Sequence, residues 1–265
     1  MIDREYPTEF LDFVDGLYAA DSFEDAFKTF ESHILKLGFD GVLYTYIPRI
    51  LLDSNLSEKP VYEVSTDYCP GYLNHYAEAR FDQIDPMIRA VNEGVSEPID
   101  WWGDICAAYM EQQPASKAVL ATASDYGIKH GLTLPLMSES RGAAGASFIS
   151  EEHRGFGTLL DERQKHVERC TRLFHNMVIS DACYIGNFAK PLIKSLSDTE
   201  RKLVIGLAEG KTSKEISQEL NKSNKYLEQV MISVRKKLSN DADSSVINRN
   251  QLLYYAGLLN ILEHN

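Results

Sequence analysis

The stretch "LSDTERKLVIGLAEGKTSKEISQEL", residues 196–220, marks the starts of two helices in close succession. Ser197 is followed three residues later by Glu200, and Thr212 by Glu215. In such a capping box the hydroxyl accepts a first-turn backbone N–H while the carboxylate reaches back to the cap residue's own N–H, so each helix start is satisfied locally. Gly210 falls just after the first helix, where a residue at ease in the left-handed conformation ends it. Ser223 caps a third helix whose apolar positions Leu227, Val230, Met231, Val234 and Leu238 form one stripe, and "QLLYYAGLLNIL" reads as a fourth. A chain end written this way is all-α. Its two short helices, 212–221 and 223–238, are joined by a tight break, which makes a helix-turn-helix.

The second helix of such a pair fits a major groove, its outward residues meeting base edges while nearby cations meet phosphates. The outward set here is Asn224, Lys225, Glu228, Gln229, Ile232, Ser233 and Lys236, flanked by Lys211, Lys214, Lys222, Arg235 and Lys237. Thr212, Lys214, Lys222, Asn224, Lys225, Gln229 and Lys236 are the candidate DNA contacts. The alternative is a solvated bundle with ordinary surface lysines. Charge bears on the choice. The whole chain carries a net −12, but residues 190–265 hold 12 basic against 9 acidic residues, leaving 15 against 30 in the remainder. The C-terminal piece is therefore where a polyanion belongs.

The first part alternates helical and strand signals. "FLDFVDGLYAA" and "FEDAFKTFESHILKLGF" space apolar residues as amphipathic helices do. "GVLYTYIPRILL", "PVYEVS", "GLTLPLMS" and "GAAGASFIS" are short and bounded by Gly, Pro or Ser, as strands are. Residues 104–127 read as helical, and Leu160, Val167, Cys170, Phe174, Met177 and Val178 mark the stripe of a long helix over 159–185. This is an α/β (α+β) chain: an N-terminal α-β-α sandwich with a mostly antiparallel sheet, then a four-helix C-terminal domain. "YIGNFAKPLIKSLS", with Gly186, Asn187 and Pro191, holds the boundary. The expected domains are 1–183 and 196–265, with a linker at 184–195.

At 265 residues and 44% hydrophobic composition the chain can bury a core in each part. It has no run of ~18 apolar residues and no basic-then-apolar leader, so no membrane partner is expected and the cytoplasm is the expected compartment. Cys69, Cys106, Cys170 and Cys183 make no CxxC pair or metal spacing, so neither a disulfide framework nor a metal is expected. His75, His130 and His153 are scattered and pair with no nucleophile, so no catalytic set is read and the chain is not expected to be an enzyme.

"YLNHYAEARFDQIDP", residues 72–86, places Tyr72 and Tyr76 one helical turn apart and Asp85 just before Pro86. From the residues alone, Asp85 is an N-cap with proline at the first helical position, a catalytic carboxylate, or a ligand contact.

The C-terminal stretch resembles the DNA-binding domain of the LuxR family, on Leu196, Ser197, Glu200, Gly210, Lys211, Thr212, Glu215 and Ile216. The first part is similar to the acyl-homoserine-lactone-binding domain of the same family, on Tyr72, Tyr76, Asp85-Pro86, Trp101 and Gly131. Where the family has Trp, this chain has Tyr72. "NDADSS" resembles an insertion before the last helix. The resemblance implies a quorum-sensing transcriptional regulator with a small-molecule signal, an N-acyl homoserine lactone or related amide, and no cofactor. It implies Asp85 accepting the ligand's amide N–H, Tyr76 donating to the acyl carbonyl, Tyr72 at the lactone, Trp101 packed on the ring and Ser147 as a further partner. Tyr44, Tyr46, Val64, Tyr68 and Leu73 would surround the acyl tail. It also implies a homodimer on double-stranded promoter DNA, with RNA polymerase among the partners. The alternative within the same architecture is a solo regulator that senses another molecule or acts without ligand.

Overall fold

The computed structural model describes residues 8–48, 61–65, 68–139, 142–151, 156–180, 195–238 and 249–258. The linker stretch 184–194, "NDADSS", Cys183 and His153 lie outside the described residues. The chain divides into two compact units: among the described residues, those up to Ile47 and from Val61 to Val178 belong to the first, and Pro48 and those from Ile179 onward to the second.

The first unit is built on a five-stranded sheet of order β2-β1-β5-β4-β3. Its strands are β1 (Gly41–Pro48), β2 (Val61–Val64), β3 (Ile99–Asp100), β4 (His130–Glu139) and β5 (Gly142–Ser150). The β1–β2, β3–β4 and β4–β5 pairs are antiparallel. The expected strands lie where the sequence puts them, and β3 is an addition of two residues, too short to show a period. Pro135 lacks a backbone donor, and the β4–β5 register shifts between Pro135 and Met137, as a bulge accommodates. β5, "GAAGASFIS", is buried along almost its whole length, because the sheet is covered on both faces.

Three helices, α1 (Thr8–Tyr18), α2 (Phe23–Lys36) and the long α7 (Phe156–Ser180), cover one face. Phe30 of α2 stacks on Phe174 of α7 at 4.5 Å, and Tyr44 of β1 meets the same ring edge-on at 5.2 Å. Val167, Cys170, Phe174 and Val178 are all buried, as the stripe predicts. The other face carries α3 (Pro70–Glu78), α4 (Pro86–Asn92), α5 (Asp104–Gln112) and α6 (Lys117–Asp125), with short 3-10 turns at Phe81–Gln83 and Pro114–Ser116. The helical stretch expected over 104–127 is divided at Gln113-Pro114 into α5 and α6, since proline cannot carry one helix through.

The second unit contains α8 (Asp198–Ala208), α9 (Ser213–Glu219), α10 (Asn224–Leu238) and α11 (Arg249–Leu258). Both capping boxes form. Ser197 Oγ accepts from Glu200 N while Glu200 Oε2 accepts from Ser197 N, and Thr212 and Glu215 repeat the exchange. Gly210 stops α8 with φ +85°, and Asn221 takes φ +51° in the turn before α10. Leu203, Val204, Leu207, Ile216, Leu227, Val234 and Leu252 make its core. No helix among the described residues is long and apolar enough to cross a membrane.

Candidate functional site

The α3–α6 side of the sheet encloses a cavity of about 400 Å³, within the range of small-molecule sites. Strand periodicity decides which β1 side chains reach it. Leu43 and Thr45 line the cavity, while the residue between them points to the opposite face. That residue is Tyr44, expected at the ligand. Its hydroxyl instead pairs with His175 Nδ1 at 2.8 Å, beneath α7. Tyr46 shares Tyr44's parity and is likewise absent from the lining, and the side chain of Val64 lies outside the described residues. Tyr68, Tyr72, Leu73, Tyr76, Asp85, Trp101 and Ser147 are brought together around the cavity.

Asp85 begins α4 from an extended backbone, with Pro86 at the first helical position. Its Oδ1 accepts from Met87 N at 2.7 Å and Ile88 N at 3.1 Å. Its Oδ2 accepts from the Tyr76 hydroxyl at 2.7 Å. Capping and the cavity thus use different oxygens, and a carboxylate oxygen with one donor keeps a lone pair for another. Burial pushes the Asp85 pKa up, opposed by the Tyr76 hydroxyl and then by the Ile88 and Met87 amides. Tyr76 lies one turn after Tyr72 on α3, and their rings meet edge-on at 5.9 Å. Tyr72, almost fully buried, also faces Tyr126 at 6.2 Å. Burial raises the Tyr68 pKa far above the ordinary phenol value, so Tyr68 stays protonated.

Trp101 is fixed by what lies beneath it. A Cβ on Gly131 would come within 2.1 Å of the indole Cδ2, so only glycine lets the ring lie on β4. The indole Nε1 donates to Thr133 Oγ1 at 2.9 Å, and Thr133 Oγ1 and Ser147 Oγ lie 2.8 Å apart. Thr133 was not foreseen. It pairs in register with Ser147 across β4–β5, and a threonine inside the apolar run "GLTLPL" is the signal that marks it. Arg80 and Asp82 were also missed. Both line the cavity, and their two hydrogen bonds of 3.2 and 3.3 Å hold Arg80, which takes the left-handed φ of +54° after α3. Nothing in the local pattern marks an arginine as a residue that will take that conformation.

In the second unit Lys214, Lys222, Asn224, Lys225, Gln229 and Lys236 are all exposed. Thr212 is exposed too, but its hydroxyl is engaged with Glu215. Other members of the outward and flanking sets are engaged within the unit. Ser233 Oγ and Lys237 Nζ both donate to the buried Glu200, each at 2.7 Å, and Lys211 bridges Glu209 and Glu219. Lys222 Nζ sits 5.5 Å from the centroid of the exposed Tyr226 ring, which places an aromatic group at the start of α10 that the sequence reading had not selected.

A family model described as the autoinducer binding domain matches residues 22–178. The transcriptional activator protein BjaR1 of Bradyrhizobium diazoefficiens is 24% identical over 88% of this chain and 90% of its own length. The regulatory protein SdiA of Escherichia coli is 26% identical over 87% and 89%. A crystal structure of SdiA and a structure of SdiA in complex with octanoyl-rac-glycerol share the fold over 95% of this chain and 97% and 94% of theirs (TM-scores 0.52 and 0.51; identities 20% and 18%). CepR2 of Burkholderia cenocepacia, described as an N-acylhomoserine lactone dependent LuxR family transcription factor, aligns over 65% of this chain and 94% of its own (TM-score 0.52; 16% identity). A sandwich enclosing a polar-ended cavity, followed by a helix-turn-helix, is the build of a signal-responsive regulator of transcription. The chain belongs to the autoinducer-binding family of LuxR-type regulators.

Proposed function

We propose that this chain binds an N-acyl amide signal of the homoserine-lactone type in the first unit's cavity and duplex promoter DNA through α10, acting as a homodimer. The observation that carries the reading is the distribution of polarity in the cavity. Asp85 Oδ2, the Tyr76 hydroxyl and the Thr133–Ser147 pair stand among apolar side chains such as Leu43, Met87 and Val91. A buried amide is costly without partners. Here Asp85 accepts the N–H, the Tyr76 hydroxyl turns its one proton from Asp85 Oδ2 to the acyl carbonyl, and Leu43, Met87 and Val91 take the chain. Ligand favours the state that binds it, and so raises the stability of the first unit. Lys225 and Lys236 meet phosphates, while Asn224 and Gln229 read base edges. The lactone dependence of CepR2 supports the signal class. The test is to titrate purified protein with N-acyl homoserine lactones of graded chain length, following thermal stability and binding to promoter fragments. Ligand-dependent stabilisation with DNA binding that weakens steeply with salt supports the proposal. No stabilisation by any acyl amide and no preference over random DNA overturns it.

Tyr72 carries a second reading, a signal without a lactone ring. A phenol stands at the lactone end in place of the family's indole, and SdiA accepts octanoyl-rac-glycerol. Tyr72→Trp separates the two: it sharpens the response to lactones if the native signal is one, and blunts the native response if it is not.

A further inference from the structure

On the face of the sheet opposite the cavity, His33 of α2 and His166 and Cys170 of α7 converge, and their donor atoms all lie within 4.8 Å of one another. His166 and Cys170 are four residues apart and so project from one side of α7. His33 arrives from a second helix, its Nε2 2.9 Å from His166 Nε2. Cys170 is fully buried and His33 nearly so. The ring planes are held by aromatic neighbours. Phe13 stacks on His33 at 4.5 Å, and Phe10 meets His166 edge-on at 5.7 Å.

We propose that His33, His166 and Cys170 bind a zinc-class transition-metal ion that clips α2 to α7. Two imidazoles and a thiolate are the donor set such ions favour over magnesium or calcium. With bonds of ~2.0–2.1 Å to nitrogen and ~2.3 Å to sulfur, a tetrahedral ion needs its donors roughly 3.3–3.6 Å apart. The observed 2.9 Å imidazole contact has to open by a few tenths of an ångström, and since all donors lie within 4.8 Å no pair has to close by more than about 1.5 Å. Burial and the neighbouring His166 lower the His33 pKa to about 4, so its imidazole is neutral and able to ligate at pH 7. Burial also pushes the Cys170 thiol up to about 12, so without a cation it keeps its proton. On binding, the Cys170 S–H gives its proton to solvent as the metal–sulfur bond forms. The hydrogen shared by the two Nε2 atoms moves to the Nδ1 of its own ring, and one proton is released per ion. The fourth position falls to water or to Glu9, whose charge acts on both imidazoles. Clipping two helices of the first unit raises its stability by mass action.

The test uses full-length protein, freed of metal with a chelator and kept reduced, with Co²⁺ as the spectroscopic probe. One Co²⁺ per chain is expected, with a sulfur-to-cobalt charge-transfer band in the near ultraviolet that one equivalent of Zn²⁺ removes. Cys170→Ser abolishes that band. His166→Gln weakens binding by at least about tenfold, since losing even an outer-shell partner costs that much. His166 is only half-buried, so this variant decides the matter if Cys170→Ser does not fold. Failure to take up Co²⁺, or a band that persists in folded Cys170→Ser, overturns the site and leaves only a hydrogen-bonded imidazole pair. Neither outcome depends on which signal the cavity binds.

Discussion

At Asp85 the two carboxylate oxygens have separate tasks, one holding the α4 amides and the other Tyr76. Asp85→Asn keeps an oxygen for the amides and presents an NH2 group toward Tyr76, where a ligand amide would also meet a donor. The expected result is loss of response to any amide signal with no fall in the unliganded melting temperature near pH 7, because a buried charge is removed as well. A reporter dose-response beside a thermal melt reads both. Gly131 is constrained by shape alone. Gly131→Ala drives a Cβ into the Trp101 ring, which is tethered over the same strand by its bond to Thr133. A loss of about 1–3 kcal/mol in chemical denaturation is expected, along with loss of ligand response.

The elements show how far sequence reached. Helix starts at Ser197 and Thr212 were readable because capping is settled within four residues, and both boxes form. The Tyr72, Tyr76 and Asp85 spacing was readable because one helix and one turn carry it. Tyr44 was assigned to the wrong face because period-two alternation says which residues share a face, not which face lies toward a cavity. Thr133 and His33 depend on partners 14 and 133 residues away, across a strand pair and between two helices. No local pattern specifies such contacts. In α8 and α10, Glu200 joins the local and the distant: it completes a capping box and also accepts from Ser233 and Lys237. Burial raises its pKa, but Lys237, Ser233 and Ser197 more than offset that and hold it at about 2. Because this lies below the ordinary ~4.3, the stability it contributes is complete above that pH and is lost as pH falls toward 2. Glu200→Gln retains the cap but loses the charge. A loss of about 1–3 kcal/mol near pH 7 is expected, discounted for the partly exposed Lys237. Denaturant titrations from pH 5 to 2 should show the variant's curve flatter than the parent's.

For the whole molecule, the two units face acid differently. In the first, His33 and His175 are each held at about 4, in both cases chiefly by burial, and His166 is lowered as well. An unfolded histidine takes its proton near ~6.5, so these groups contribute stability that is full above that pH and falls away down to about 4. Asp85 works in the opposite sense. Its raised pKa favours the folded state at low pH, and that contribution is lost as pH rises through its folded value. One carboxyl does not outweigh three imidazoles. The second unit holds none of these histidines, and Glu200 keeps its charge until the pH nears 2. Scanning calorimetry of metal-free protein at pH 7 and pH 5 therefore should separate the units: the transition of the first moves down and takes up about two protons on unfolding at pH 5, while that of the second barely shifts. His175→Gln, which removes one buried imidazole beneath Tyr44, should reduce that proton uptake by about one. Equal downward shifts of both transitions would show instead that acid acts on the chain through its overall charge.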